Sequence, residues 1–176
     1  MGGDQYDFVK SFKEKYTQCF VNAKVLEVGS LDINGSIRNI FENCDYTGLD
    51  VGEGSGVDVV CEGQLYQGET DSFDATLSCE CFEHNPEWVA TFENMIRMTK
   101  PQGLVIMTCA TTGRMEHGTS RSEASSSPLT IAKGWEYYKN LTKEDFEEAM
   151  NLNDFFESYE FTTKGYDLFF WGIKKQ

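Results

Sequence analysis

Residues 24–35 read KVLEVGSLDING, and this stretch decides the fold. Val25, Leu26 and Val28 form a short apolar run that indicates a buried strand, and Gly29 begins a turn. Asn34 and Gly35 mark a second turn before a short helix. Open parallel sheets bind their ligands beyond the carboxyl ends of strands, in turns of this kind. The stretch therefore predicts a parallel α/β sheet with a ligand at its edge.

The rest of the chain alternates strand and helix patterns around this stretch. Apolar spacing predicts a helix over residues 5–20, within the N-terminal segment 1–22, and a second helix over 86–98. Thr142 is expected to cap a further helix. Alternating strands and helices favour a parallel sheet with helices on its faces, so one α/β domain over residues 1–176 is expected. The predicted strands are 24–29, 46–50, 57–61, 73–78 and 103–109, followed by a hairpin of 155–162 and 166–174.

Composition limits the classes of partner. The 176 residues carry a net charge of −14, and an acidic surface repels phosphate backbones, so no nucleic-acid partner is expected. No apolar run approaches the roughly 18 residues of a membrane span, and the N-terminus lacks a signal-peptide pattern. A cytoplasmic protein with free thiols and no membrane partner is therefore expected, and a homodimer stays open.

Acidic residues at two further strand ends strengthen the prediction of a ligand site. Asp50 ends the second predicted strand about 20 positions after the glycine turn, where a carboxylate can accept both hydroxyls of a ribose. The segment Ser78-Cys-Glu-Cys-Phe-Glu-His84 follows the fourth strand. A turn at Lys100-Pro-Gln-Gly103 precedes the fifth.

These segments, in this order, resemble class I S-adenosylmethionine (SAM)-dependent methyltransferases, in particular the compact type 11 group. Residues 25–29 look like the cofactor loop of that family, and residues 48–50 look like its ribose-binding strand end. The resemblance covers about residues 20–176. It implies a Rossmann-like, doubly wound, mostly parallel seven-stranded sheet of order 3-2-1-4-5-7-6, with strand 7 antiparallel. It also implies SAM as the cofactor and S-adenosylhomocysteine (SAH) as its product.

The resemblance further implies which residues hold the cofactor. Asp50 would accept hydrogen bonds from the ribose hydroxyls. Val51 would lie against the adenine, and Glu62 would accept a hydrogen bond from the adenine amino group. The methionine part would lie against the turn after the first strand and the backbone after the fourth. The full set is Glu27, Gly29, Ser30, Asp32, Gly35, Asp50, Val51, Glu62, Gly63, Ser78 and Cys79.

The glycine turn departs from the family pattern. The family has three glycines at alternate positions, whereas here the last, Gly35, comes two positions late. Asp32 and Asn34 are therefore expected to take the positive φ that a glycine would have taken, because Asp and Asn tolerate it best.

Residues 111–134 lack periodicity, and a loop this long inside a domain is usually functional or mobile. With the aromatic residues that follow, residues 111–138 are predicted to form a substrate lid. Arg114, Glu116 and Tyr138 are its candidates for selecting a small-molecule acceptor. His117 is the first candidate for a general base and His84 the second, although His84 could equally well only pack at the start of a helix.

Methyl transfer from SAM to an oxygen or nitrogen atom of a small molecule is the favoured function. A NAD-dependent Rossmann oxidoreductase is one alternative, although Gly29 and Gly35 do not match its G-x-G-x-x-G fingerprint. A non-catalytic SAM-binding or interaction module is the other. No metal site is expected, because Cys79, Cys81 and His84 lack the usual zinc-site spacing.

Overall fold

The computed structural model describes residues 2–176. Along the chain its elements are α1 Gly3–Ser11, β1 Lys24–Val28, β2 Asp45–Asp50, β3 Val59–Val60, β4 Phe73–Cys79, α2 Trp88–Met98, β5 Thr99–Ala110, α3 Pro128–Lys133, α4 Lys143–Ala149, β6 Phe156–Lys164 and β7 Asp167–Lys174. The strands form one seven-stranded sheet of order β3-β2-β1-β4-β5-β7-β6. β1 to β5 pair in parallel, and β7 is antiparallel to both β5 and β6. The predicted Rossmann-like fold class is confirmed.

Apolar cores cover both faces of this sheet. Successive residues of a strand point to opposite faces, and in β5 Val105 joins one core while Ile106 joins the other. The first core includes Phe92 of α2 and Phe146 of α4, and the second includes Val9 of α1. Because β1 and β4 are central and buried on both faces, their side chains can reach a ligand only at the strand ends.

Several elements differ in length from the predictions. The N-terminal helix ends at Ser11 and is followed by a short 3-10 turn over Thr17–Cys19, so a helix reaching to about residue 20 was wrong. The chain turns there, which lets the ring of Phe20 stack on Phe41 at 4.7 Å inside the core. β3 is reduced to two residues at the edge of the sheet. β5 begins four residues earlier than predicted, because Thr99 already pairs with Phe73.

The predicted lid contains a helix of its own. α3 begins at a proline in its first turn and ends at Gly134, whose φ of 87° is the left-handed conformation of a helix C-terminus. Beyond the lid, Thr142 caps α4 as predicted and forms a capping box with Asp145. In the part of the chain that the structure describes, no helix is long and apolar enough to cross a membrane.

Candidate functional site

A cavity of about 630 Å³ lies at the carboxyl edge of the sheet. It is bounded by the ends of β1, β2 and β4, by the lid, and by residues 2–5 at the start of α1. This is the edge at which parallel α/β sheets bind ligands. Its volume falls within the range of small-molecule sites, roughly 300–1,000 Å³.

The turn after β1 follows a path that only glycine allows at one point. Gly29 has φ +80°, and a Cβ placed on it would lie 2.6 Å from the Cβ of Cys81. The amides of Gly29 and Ser30 both donate to the carbonyl of Leu49, at 2.9 Å each, which fixes the turn against β2.

Asp32 does not take the positive φ that the sequence predicts. Within residues 29–35, positive φ occurs only at Gly29 and Gly35, so the expectation for Asp32 and Asn34 was wrong. Asp32 instead closes the loop, because its Oδ1 accepts a 2.8 Å hydrogen bond from the amide of Gly35. Gly35 thus supplies the second positive φ of the loop, and this bond from its amide to the side chain of Asp32 closes the longer loop.

Asp50 lies on the cavity wall at the end of β2. Its Oδ2 accepts from the amide of Leu31 at 3.0 Å and its Oδ1 from the amide of Val51 at 2.8 Å. Burial raises the pKa of this carboxyl, and the two amides partly oppose the rise. Each oxygen keeps a second lone pair, so the carboxylate can hold the loop and still accept from a ligand.

Glu27 brings a second buried carboxyl to the same wall. Its Oε2 accepts a 2.6 Å hydrogen bond from the hydroxyl of Tyr46. Burial raises the pKa of Glu27 to about 7, against the lowering effect of that bond. Beside it, the buried Oγ of Ser30 has no hydrogen-bond partner among residues 2–176. Such an atom costs free energy unless a ligand or water satisfies it.

The structure brings some of the predicted cofactor residues to the cavity and leaves others outside it. Glu62 is held by Lys133 of α3 at 2.6 Å and by Gln64 at 2.6 Å. Ser78 donates its hydroxyl to the carbonyl of Val28 at 2.8 Å. The residues on the cavity are Glu27, Gly29, Ser30, Gly35, Asp50 and Cys79, and those outside it are Asp32, Val51, Glu62, Gly63 and Ser78.

Of the lid residues predicted to contact the acceptor, some line the cavity and others lie outside it. Arg114 and His117 line the cavity, and Arg114 pairs with Asp167 at 3.4 Å. Glu116 points to solvent and accepts from Arg121 at 2.8 Å. Tyr138 lies behind the cavity, where its ring packs on those of His84 and His117.

His84 is buried beside the cavity, and its environment decides its protonation state. Burial, and then the neighbouring His117, lower the pKa of His84 to about 3. Its imidazole is therefore neutral at physiological pH and is a weak proton acceptor.

Glu80 is a cavity residue that the sequence analysis did not select. It follows β4 with φ +55°, a conformation that is uncommon outside glycine and occurs at functional sites. Its Oε1 accepts from Thr108 at 2.9 Å, and burial, with Asp167 nearby, raises its pKa to about 7. The acidic motif after β4 was the available signal, because Glu80 and Glu83 both stand in it.

Comparison with known proteins gives one family match. Residues 26–107 match the family model of the methyltransferase domain, which confirms the predicted family resemblance over that segment. No curated protein matches the sequence. Both the glycine turn and Asp50 lie inside the matched segment.

Solved structures give the second comparison. Phosphoethanolamine N-methyltransferase 2 of Haemonchus contortus, crystallised with SAM, is 17% identical at a TM-score of 0.65, over 99% of this chain and 53% of its own. The 1,6-didemethyltoxoflavin-N1-methyltransferase of Burkholderia thailandensis, crystallised with its substrate and SAH, is 15% identical at 0.65, over 97% of this chain and 78% of its own. This chain thus spans about half the length of the Haemonchus enzyme, and at these identities the likeness establishes the fold alone.

Proposed function

We propose that this chain, whose residues 26–107 belong to the methyltransferase-domain family, is an enzyme that transfers the methyl group of SAM to a small-molecule acceptor. The observation that carries the proposal is the position of Asp50 on a cavity at the carboxyl edge of the sheet. SAM is the cofactor that fits this family, and the Haemonchus and Burkholderia structures contain SAM or SAH.

The residues on the cavity suit the parts of this cofactor. The Asp50 carboxylate has lone pairs left for two ribose hydroxyls, and the unpartnered Oγ of Ser30 can bind a polar group. Glu27 and Glu80 supply carboxyls near the ends of β1 and β4, where a ligand's ammonium group would be stabilised. When bound, SAM supplies an electrophilic methyl group, and the protein's task is to hold an acceptor in line with it.

The acceptor side is formed by the lid and the start of α1. Arg114 and His117 line it, and we assign the acceptor's selection to them and to Tyr138 behind them. An oxygen or nitrogen nucleophile is part of the proposal, and the named substrates of the relatives, phosphoethanolamine and 1,6-didemethyltoxoflavin, support a small molecule. A cytoplasmic location also stays part of the proposal.

The open cavity favours an enzyme over a non-catalytic module. A lid collapsed into the site would have left no room for a ligand, whereas about 630 Å³ remains beneath it. A NAD-dependent oxidoreductase is disfavoured by the glycine spacing, Gly29 and then Gly35, which does not match its fingerprint.

Ligand-induced stabilisation tests the proposal. SAH should raise the melting temperature, because a ligand that binds only the folded state stabilises it by about 2.7 kcal/mol at 100 times its Kd. Asp50→Ala should lose most of this shift, and Glu53→Ala, an exposed acidic residue three positions on, should keep it. A shift with NAD and none with SAH or SAM would overturn the proposal in favour of an oxidoreductase.

A further inference from the structure

Three side chains of types that commonly bind metal ions meet beside the part of the cavity that the lid covers. Glu83 and His84 follow β4, and His117 comes from the lid. One carboxylate oxygen and one nitrogen of each ring all lie within 4.8 Å of one another. The His84 Nε2 is 3.9 Å from the Glu83 Oε1. Among residues 2–176, no other group of three or more histidine, cysteine, aspartate or glutamate side chains is close enough to share one metal ion.

These distances are close to those of a coordination sphere. Ligand atoms about 2.1 Å from one tetrahedral ion are about 3.4 Å apart. No pair of ligand atoms therefore has to close by more than about 1.4 Å. His117 can supply that movement, because it lies in a stretch of the lid outside any helix or strand and is only half buried.

The buried groups of the cluster have no other partner. Glu83 is fully buried, and neither of its carboxylate oxygens forms a hydrogen bond with any residue in 2–176. The Nδ1 of His84 is buried and unpartnered over the same range. The backbone amides of Glu83 and Ala110 lie close enough to lower the pKa of this carboxyl somewhat against the effect of burial, but neither makes a hydrogen bond of good geometry with it. A buried carboxyl without partners destabilises the folded state, and a bound cation would remove that destabilisation.

The surroundings also orient the two rings. The Nδ1 of His117 lies 3.0 Å from the carbonyl of Met115, and a hydrogen bond donated there leaves the lone pair on Nε2. Metal-binding histidines commonly donate their second N–H to a backbone carbonyl in this way. Tyr138 packs its ring 5.6 Å from that of His84 and 5.0 Å from that of His117, which shields the cluster on that side.

Gly118 lets the lid approach this closely. It has φ +67°, and a Cβ there would lie 2.9 Å from the Nδ1 of His84. A larger residue would push the lid, and His117 with it, away from the cluster.

We propose that Glu83, His84 and His117 bind one divalent transition-metal ion. Two imidazoles and one carboxylate are a ligand set used by Zn²⁺ and Fe²⁺. Both histidines line the cavity, so the positions that the protein leaves open face the proposed acceptor. This proposal differs from the prediction that the chain binds no metal. That prediction considered only the spacing of Cys79, Cys81 and His84. Metal binding does not depend on the proposed function, since no residue of the cluster belongs to the SAM-binding set.

Titration of the metal-free protein with Co²⁺ tests the site. The full chain, without an affinity tag and treated with a chelator, should bind one Co²⁺ with a visible absorption band that Zn²⁺ abolishes. Removing even an outer partner of a metal site costs 10–100-fold in affinity, so His117→Ala should raise the Kd at least about 100-fold. Glu83→Gln should do the same, and Glu123→Gln, an exposed residue on the lid, should leave the Kd unchanged.

Three results would overturn the proposal. They are no cobalt band with the wild-type protein, an unchanged Kd in His117→Ala, and an intense sulfur-to-metal charge-transfer band, which would assign the metal to cysteine. Circular dichroism shows whether each variant is folded, and His117→Ala removes only a half-buried side chain of the lid. The SAH-induced melting shift, measured on the same chelated protein, reports separately on the proposed function.

Discussion

Glu27 is an acidic residue buried in a strand whose other buried residues are apolar. It is the last residue but one of the central strand β1, with 3% of its surface exposed, where a carboxylate loses its hydration. The hydroxyl of Tyr46 donates a hydrogen bond to its Oε2, but this bond does not offset the burial, so the pKa of Glu27 is raised to about 7. A core kept for stability alone would have an apolar residue here.

The raised pKa predicts a pH-dependent stability. Between the unfolded pKa of about 4.3 and the folded pKa of about 7, the folded protein binds more protons than the unfolded chain. The free energy of unfolding contributed by Glu27 is therefore greatest at low pH and is lost as the pH rises towards and through 7. Between pH 5 and pH 8 the wild type should lose about 2.5 kcal/mol more than Glu27→Gln does, because only the wild type carries this carboxyl.

Denaturant unfolding of both proteins at the two pH values measures this difference. Asp50, Glu80 and Glu83 shift in the same direction, so only the difference between wild type and Glu27→Gln isolates Glu27. Glu14→Gln, at an exposed position, should behave as the wild type. Equal losses in wild type and Glu27→Gln would mean that Glu27 is charged in the folded state at pH 5.

The helix α3 of the lid is the element that differs most from what the sequence predicts, because it lies against residues assigned to the cofactor rather than to the acceptor. Leu129 packs on Gly52, where a Cβ would approach its side chain to 2.9 Å, and Lys133 pairs with Glu62. α3 therefore lies over Gly52, the residue after Val51, and against Glu62, and the family resemblance assigns Val51 and Glu62 to the adenine. We infer that, when the adenine binds, either this helix shifts or Glu62 contacts both Lys133 and the adenine.

Breaking the Lys133–Glu62 pair should make SAH binding tighter. Lys133→Ala frees the carboxylate of Glu62 to accept from the adenine, and we expect the Kd for SAH, measured by calorimetry, to fall several-fold. Stability should change by less than about 1 kcal/mol, because the pair is partly exposed. Lys139→Ala, which removes a pair with Asp145 away from the cavity, is the matched control. A several-fold weaker binding in Lys133→Ala would show instead that α3 in its present position is part of the binding site.

Charge is the property that acts on the whole molecule. Aspartate and glutamate number 29 and lysine and arginine 15, so repulsion between like charges opposes the compact state. The ion pairs do not balance this, since most involve exposed side chains, such as Lys164–Asp4, and such pairs contribute little. The net effect of the surface charges should therefore be destabilising at low ionic strength.

Added salt should stabilise the protein. Raising NaCl from 20 to 500 mM shortens the Debye length to about 4 Å, which screens the repulsion. The melting temperature, followed by circular dichroism, should rise by a few degrees, and KCl should give the same result at equal ionic strength. A fall in melting temperature over this range would mean that attractive pairs outweigh the repulsion.

Local patterns in the sequence were enough to predict a parallel sheet and to place Asp50 at its edge, whereas the order of the strands followed from the family resemblance. A buried strand, a glycine turn and a carboxylate at the next strand end are features of short segments, and the rules of parallel sheets place such segments at one edge. Helix and strand lengths were less accurate, because the end of α1 and the start of β5 depend on contacts with distant residues, Phe41 and Phe73.

Only the tertiary structure decided which side chains face one another. His84 and His117 lie in different segments, and their contact depends on how the lid returns across the sheet at Gly118. The covering of Glu62 by α3 depends on the same path. Side-chain periodicity along the chain records which face of an element is buried, and it carries no information about which loop packs over a given strand end.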